Sequence, residues 1–171
     1  MEESAGFGEF VAARRAVLFR AAVLLTGDVH LAEDVLQATF MRVWLRWRSV
    51  SAMENPDAYV QRVLVSVFLS WRRRKSWHET PSVAIPDVVR ESQAAEIDSH
   101  IDLMTAIRRL PPRQRTVIAL RYLLDASEAE TATAMGCSIG TVKRQAHRAI
   151  GNLRVELERH QLRGSTVGEE S

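Results

Sequence analysis

At 171 residues the chain has room for one domain or two small ones, and 46% hydrophobic residues are ample for a core. A net charge of +2 is too small for indiscriminate polyanion binding, and one cysteine, Cys137, excludes an intramolecular disulfide or a thiolate metal cluster. The five histidines follow no ligand spacing such as HExxH, so no metal and no cofactor is expected.

The opening MEESAGFGEF is acidic and lacks an apolar signal region, and no run reaches membrane-spanning length. The expectation is a soluble cytoplasmic protein. Phe10, Ala13, Val17, Ala21 and Leu24 share one helical face in the first segment, which Thr26-Gly27 ends. Asp28 then caps a longer helix running to about Trp47, with Leu36, Phe40, Val43 and Trp47 as its core face. Its opposite face carries Asp34, Gln37, Ala38 and Met41. That mixture suits either an ordinary surface or an adaptable protein-docking face.

Residues 49–54 read as a short polar loop. Asn55 caps the next helix, Pro56 takes its first position, and Val60, Leu64, Val67 and Trp71 form the buried stripe. Arg62, Ser66, Ser70 and Arg73 look outward. The helix runs into Trp71-Arg72-Arg73-Arg74-Lys75-Ser76-Trp77, four cations flanked by two indoles. The helix macrodipole accounts for some cations at a C-terminus; four of them beside aromatics suit a phosphate track with stacking platforms for single strands.

From Pro81 to Asp102 five acids (Asp87, Glu91, Glu96, Asp98 and Asp102) face one base, Arg90, in a stretch with two prolines and no sustained period. It reads as an acidic linker between basic blocks. Helix can resume between Glu96 and Leu110, and Pro111-Pro112 restarts the chain, with Val117, Leu120 and Leu124 leading onward.

Residues 126–153 then read as two helices about a tight turn. Ser127 and Glu130 form a capping box, Gly136 suits a left-handed closing residue, and Ser138 caps the second helix. Val142, Ala146, Ala149, Ile150 and Leu153 make its apolar stripe, while Lys143, Arg144, His147 and Arg148 project from the other side. Periodicity alone fits an amphipathic hairpin with a solvated basic face. Caps, small turn and one-sided cations together point to a DNA-binding helix-turn-helix. The expected fold class is all-α: two small helical domains, a bundle and a helix-turn-helix, joined by a flexible linker.

The segments AEDVLQATF, PDAYVQRVLVSVFLSWRRR and LPPRQRTVIALRYLLDASEAETATAMGCSIGTVKRQAHRAIGNLR, in this order, resemble the small two-domain sigma factors of bacterial RNA polymerase. The resemblance is to the extracytoplasmic-function (group IV) type of the sigma-70 family, most of all an actinobacterial SigE-like group, and covers about residues 8–157. It implies region 2 over 8–78, a linker over 79–100, region 4 over 101–160 and a tail over 161–171.

The resemblance also implies roles. Asp34, Gln37 and Met41 correspond to the surface that docks on the β′ clamp of core RNA polymerase, whose β flap is a second contact. Residues 49–54, with Arg62, Ser66, Ser70, Trp71, Arg72, Arg73, Arg74 and Lys75, correspond to the reader of the single-stranded −10 element. Ser138, Thr141, Lys143, Arg144, His147 and Arg148 correspond to the −35 duplex contacts. An anti-sigma factor is an implied partner, and the protein itself is implied to be no enzyme.

The sequence departs from the family in two ways. Ser66 and Ser70 stand where Asn and Asp are usual, and serine lacks an amide's paired pattern, so the −10 preference is expected to differ. Ala126, Thr131, Ala134 and Met135 replace bulkier aliphatics, predicting a less stable second domain. The competing readings are a helix-turn-helix regulator that binds a palindrome as a dimer without polymerase, and a recombinase. The Trp-flanked basic run disfavours the first, and the absence of strand patterns disfavours the second.

Overall fold

The computed structural model describes residues 2–76 and 103–166, and every regular element among them is helical. The expected linker over 79–100 and the last five residues of the tail lie outside the described residues. Helix α1 (Glu2–Thr26) closes at Gly27, whose φ of 73° lies in the left-handed region where a side chain is unfavourable. Asp28 opens α2 (Val29–Trp44), its Oδ1 accepting the Leu31 N–H at 2.7 Å.

The sequence expectation fails at the end of α2. The helix stops at Trp44, because the Arg46 N–H turns to the Val43 carbonyl three residues back instead of four, and a short helix α3 (Trp47–Ser51) starts afresh. The expected polar loop is therefore helical through Ser51, and only residues 52–55 lie between α3 and α4. Trp47 stays in the core through its ring contacts, with Phe7 at 5.2 Å and Phe10 at 5.1 Å between centroids. Helix α4 (Pro56–Ser76) is capped by Asn55, which accepts the Ala58 N–H at 3.1 Å. Val60, Leu64 and Val67 are buried and Trp71 is half-buried.

After a helical segment α5 over residues 103–109, Leu110-Pro111 interrupts and α6 (Pro112–Ile118) begins with proline at its first position. It widens into a π-helical turn (Ala119–Leu123), and Asp125 takes a φ of 52° on the way out. Helix α7 (Glu128–Met135) and helix α8 (Ile139–Thr166) complete the chain. α8 thus runs beyond the expected domain end and into the residues assigned to the tail.

Both halves have their own packing, but they are not separate bodies here. Leu18, Ala21, Ala22, Leu24 and Leu25 of α1 are all buried, more than one helical stripe can hold. The excess is explained by two partners: α1 lies against α2 and α4 on one side and against α6 and the π turn on the other. Ala13, expected on the core face, is exposed because it precedes this sandwiched stretch. A second seam joins α4 to the π turn and α7. There Val65, Leu120 and Ala126 are at most 2% exposed, forming a cluster with residues from both halves. Gln61 Nε2 donates to the Leu124 carbonyl at 2.9 Å, and Asn55 Nδ2 donates to Glu130 Oε1 at 2.5 Å.

Candidate nucleic-acid interface

The second half supplies a capped hairpin. Ser127 Oγ accepts the Glu130 N–H at 3.1 Å, and Glu130 Oε2 accepts the Ser127 N–H at 2.7 Å, which closes the capping box. These bonds, with one from Asn55, hold the Glu130 carboxyl below its ordinary pKa, the Ser127 backbone N–H contributing most. At the other end Gly136 has a φ of 61°, and the Cys137 N–H reaches back to the Ala132 carbonyl at 3.0 Å. Cys137 is half-buried against Val117, Ala132 and Val142, a packing position.

Ser138 caps α8, its Oγ accepting the Thr141 N–H at 3.2 Å. Val142 and Ala149, at most 1% exposed, pin α8 to α6 and α7. Lys143, Arg144, His147 and Arg148 are all exposed along the opposite side. Lys143 Nζ sits 3.5 Å from Glu128 Oε2, and Arg144 reaches Thr141 at 3.5 Å. An exposed ion pair of this kind contributes about 0.2–1 kcal/mol, so Lys143 is readily transferred to a phosphate.

The first half presents two further faces. Arg62 and Ser66 are exposed and Ser70 half-buried along one line of α4, with the Arg62 guanidinium 5.2 Å from the Tyr59 ring centroid. Arg72, Arg73 and Arg74 are exposed at the end of the helix, whereas Trp71 is half-buried and lines a cleft. Helix α2 exposes Asp34, Gln37 and Met41, the last 68% exposed. Trp44 and Leu45 continue this row at 43% and 81% exposure. Sequence reading missed both, because a helix continued to Trp47 keeps attention on its buried side.

Two family models match this chain in order: sigma-70 region 2 over residues 10–78, and sigma-70 region 4 over residues 100–153. The chain belongs to the sigma-70 family. It is similar to the RNA polymerase sigma-E factor of Streptomyces avermitilis, 36% identical over 91% of this chain and 87% of that protein. It also resembles an extracytoplasmic-function sigma factor, SigL of Mycobacterium tuberculosis, at 32% identity over 84% of each. Among solved structures, the sigma factor RpoE of Bartonella quintana, determined with the anti-sigma factor NepR, matches with a TM-score of 0.72. The identity is 26%, over 90% of this chain and 97% of that one. CnrH, determined with the cytosolic domain of CnrY, shares the fold at a TM-score of 0.62.

The three groups of residues singled out in the sequence of this sigma factor accordingly lie on different surfaces, one on α8, one on α4 and one on α2. Among the described residues no helix is long and apolar enough to cross a membrane. Sequence reading singled out neither Gln61 nor Val65 of the seam, and it found Asn55 only as a helix cap. The apolar run from Val17 to Leu25, interrupted by Arg20 alone, was their one available signal, since it exceeds the needs of a helix with a single partner.

Proposed function

We propose that this sigma factor binds core RNA polymerase through Asp34, Gln37 and Met41, with Trp44 and Leu45 extending that contact. It then directs initiation at promoters read by α4 and α8. The observation that carries this reading is the presence of both sigma regions in one chain, each ending in an exposed basic surface. On this reading Arg62, Ser66, Ser70, Trp71, Arg72, Arg73 and Arg74 engage the opened −10 strand. Ser138, Thr141, Lys143, Arg144, His147 and Arg148 engage the −35 duplex. Opening is driven by tighter binding to the splayed strand, which offsets unstacking costs of a few kcal/mol. No catalytic step is assigned to the chain, which acts in the cytoplasm, and an anti-sigma factor is its regulatory partner.

The domain packing gives this reading a further requirement. Elements centred near −10 and −35 lie about 25 base pairs apart, about 85 Å at roughly 3.4 Å per base pair. A compact chain of this length has a radius of gyration of about 15 Å. The packed arrangement is therefore a closed form, and the seam at Val65, Gln61 and Asn55 has to part before both elements are read together. Linkage through 79–100 then keeps two weak readers at high effective concentration once polymerase fixes their spacing.

Run-off transcription tests the reading. Core polymerase supplied with this protein is expected to start at discrete sites in a promoter library that core polymerase alone ignores. Identical transcript patterns with and without the protein refute it.

A further inference from the structure

We propose that the cleft between the two domains is a binding site for a compact phosphate-class oxyanion, held by Arg72 from the first domain and Arg115 from the second. The cleft has a volume of about 580 Å³ and is lined by Thr26, Asp28, Asp34, Trp71, Arg72 and Arg115, among others. Two of its cations come from different halves of the chain, so the site exists only while the seam is closed.

The arginines there lack the partners that arginines ordinarily have. Among the described residues no carboxylate forms an ion pair with Arg72, Arg108 or Arg115. The Nε atoms of Arg108 and Arg115 are buried without a hydrogen-bond partner. Arg115 spends one Nη1 donor on the Arg108 carbonyl at 3.3 Å. Its protonated form is disfavoured, first by burial and then by the charges of Arg72 and Arg108. A buried donor left unmade costs about 1–3 kcal/mol, and gathering like charges adds to it. An oxyanion between Arg72 and Arg115 relieves the repulsion and accepts terminal N–H groups of the two guanidiniums that line the cleft.

The rest of the lining limits the ligand. Asp28 has one carboxylate oxygen engaged by the Leu31 N–H, and Asp34 is an exposed acid on the same side. These acids oppose a long polyanion track across the cleft, and a pyrophosphate-sized group fits better. Because the ligand bridges both domains, it favours the closed form by the factor 1 + [L]/Kd, about a hundredfold at a hundred times Kd. It also takes Arg72 away from the −10 strand. This inference rests on the closed arrangement and makes the site a brake on initiation.

Calorimetric titration of the full chain with inorganic pyrophosphate tests it. Arg72→Gln and Arg115→Gln are each expected to weaken binding by about tenfold or more, the loss of a charged hydrogen-bonding partner. Arg113→Gln, an exposed neighbour on α6 outside the cleft lining, is expected to match the parent. If Arg115→Gln fails to fold, the exposed Arg72 variant still decides the matter. Absence of pyrophosphate binding, or equal binding by all three variants, overturns the proposal. So does a short single-stranded oligonucleotide that depends on Arg115 more than pyrophosphate does, which would assign the cleft to nucleic acid. Run-off transcription by the parent protein, measured separately without added phosphate, keeps a failed anion site distinct from a failed sigma-factor reading.

Discussion

Val65→Ala is the substitution that isolates the seam. Val65 is fully buried, yet its cluster consists of α4 residues and residues of the second domain, Leu120 and Ala126 foremost. Trimming it removes two carbons at about 0.8 kcal/mol each and leaves a small cavity, so the closed form loses about 2 kcal/mol. That shifts the closed-to-open ratio by about 30-fold. Where only the open form fits polymerase and promoter, apparent affinity rises with the open fraction. Small-angle scattering of the free variant is expected to show a larger radius of gyration. Competition binding is expected to show tighter association with core polymerase, by up to that same factor. An unchanged radius together with unchanged or weaker polymerase binding refutes the claim that the seam restrains the chain.

Four other expectations follow from the same geometry. Ser127→Ala removes half of the capping box and is expected to cost about 1 kcal/mol in denaturant unfolding, with Asn55→Ala lowering stability through both the α4 cap and the seam. Glu130 has a folded pKa depressed below its ordinary value of 4.5, so its stabilisation is present above that value and is lost as pH falls through the folded pKa. Glu130→Gln should flatten that acid limb in a thermal-midpoint series, and an unaltered limb counts against the bonding described. Lys143→Ala and Arg144→Ala are each expected to weaken −35 duplex binding by about 1–3 kcal/mol if they read bases, or to lower the salt slope if they hold phosphates. Asp34→Ala with Gln37→Ala should reduce affinity for core polymerase while leaving −35 recognition by the holoenzyme unchanged in sequence preference.

Local chemistry made most helix ends legible. Asp28, Asn55, Ser127 and Ser138 each accept a backbone N–H three residues on, and Gly27 and Gly136 take the positive φ that few other residues tolerate. Such features depend on neighbours in sequence, so spacing reveals them. The break after Trp44 was hidden because Trp47 continues the apolar period of α2, although the Arg46 N–H has already turned to a carbonyl three residues back. The seam was hidden for a different reason. Gln61 meets Leu124, and Asn55 meets Glu130, across separations of 63 and 75 residues that no periodicity encodes. The two arginines of the cleft belong to the same class: each looks like a surface cation until the fold brings them together. The basic face of α8, by contrast, followed directly from the spacing of buried Val142 and Ala149 and half-buried Ala146.

Promoter binding measured with the same labelled DNA, once with the free protein and once with the reconstituted holoenzyme, tests the central claim most directly. Weak, poorly selective binding by the free chain and tight, sequence-dependent binding by the holoenzyme are the predicted pair of results. Tight, selective binding of a palindromic duplex by the free protein as a symmetric dimer would contradict it.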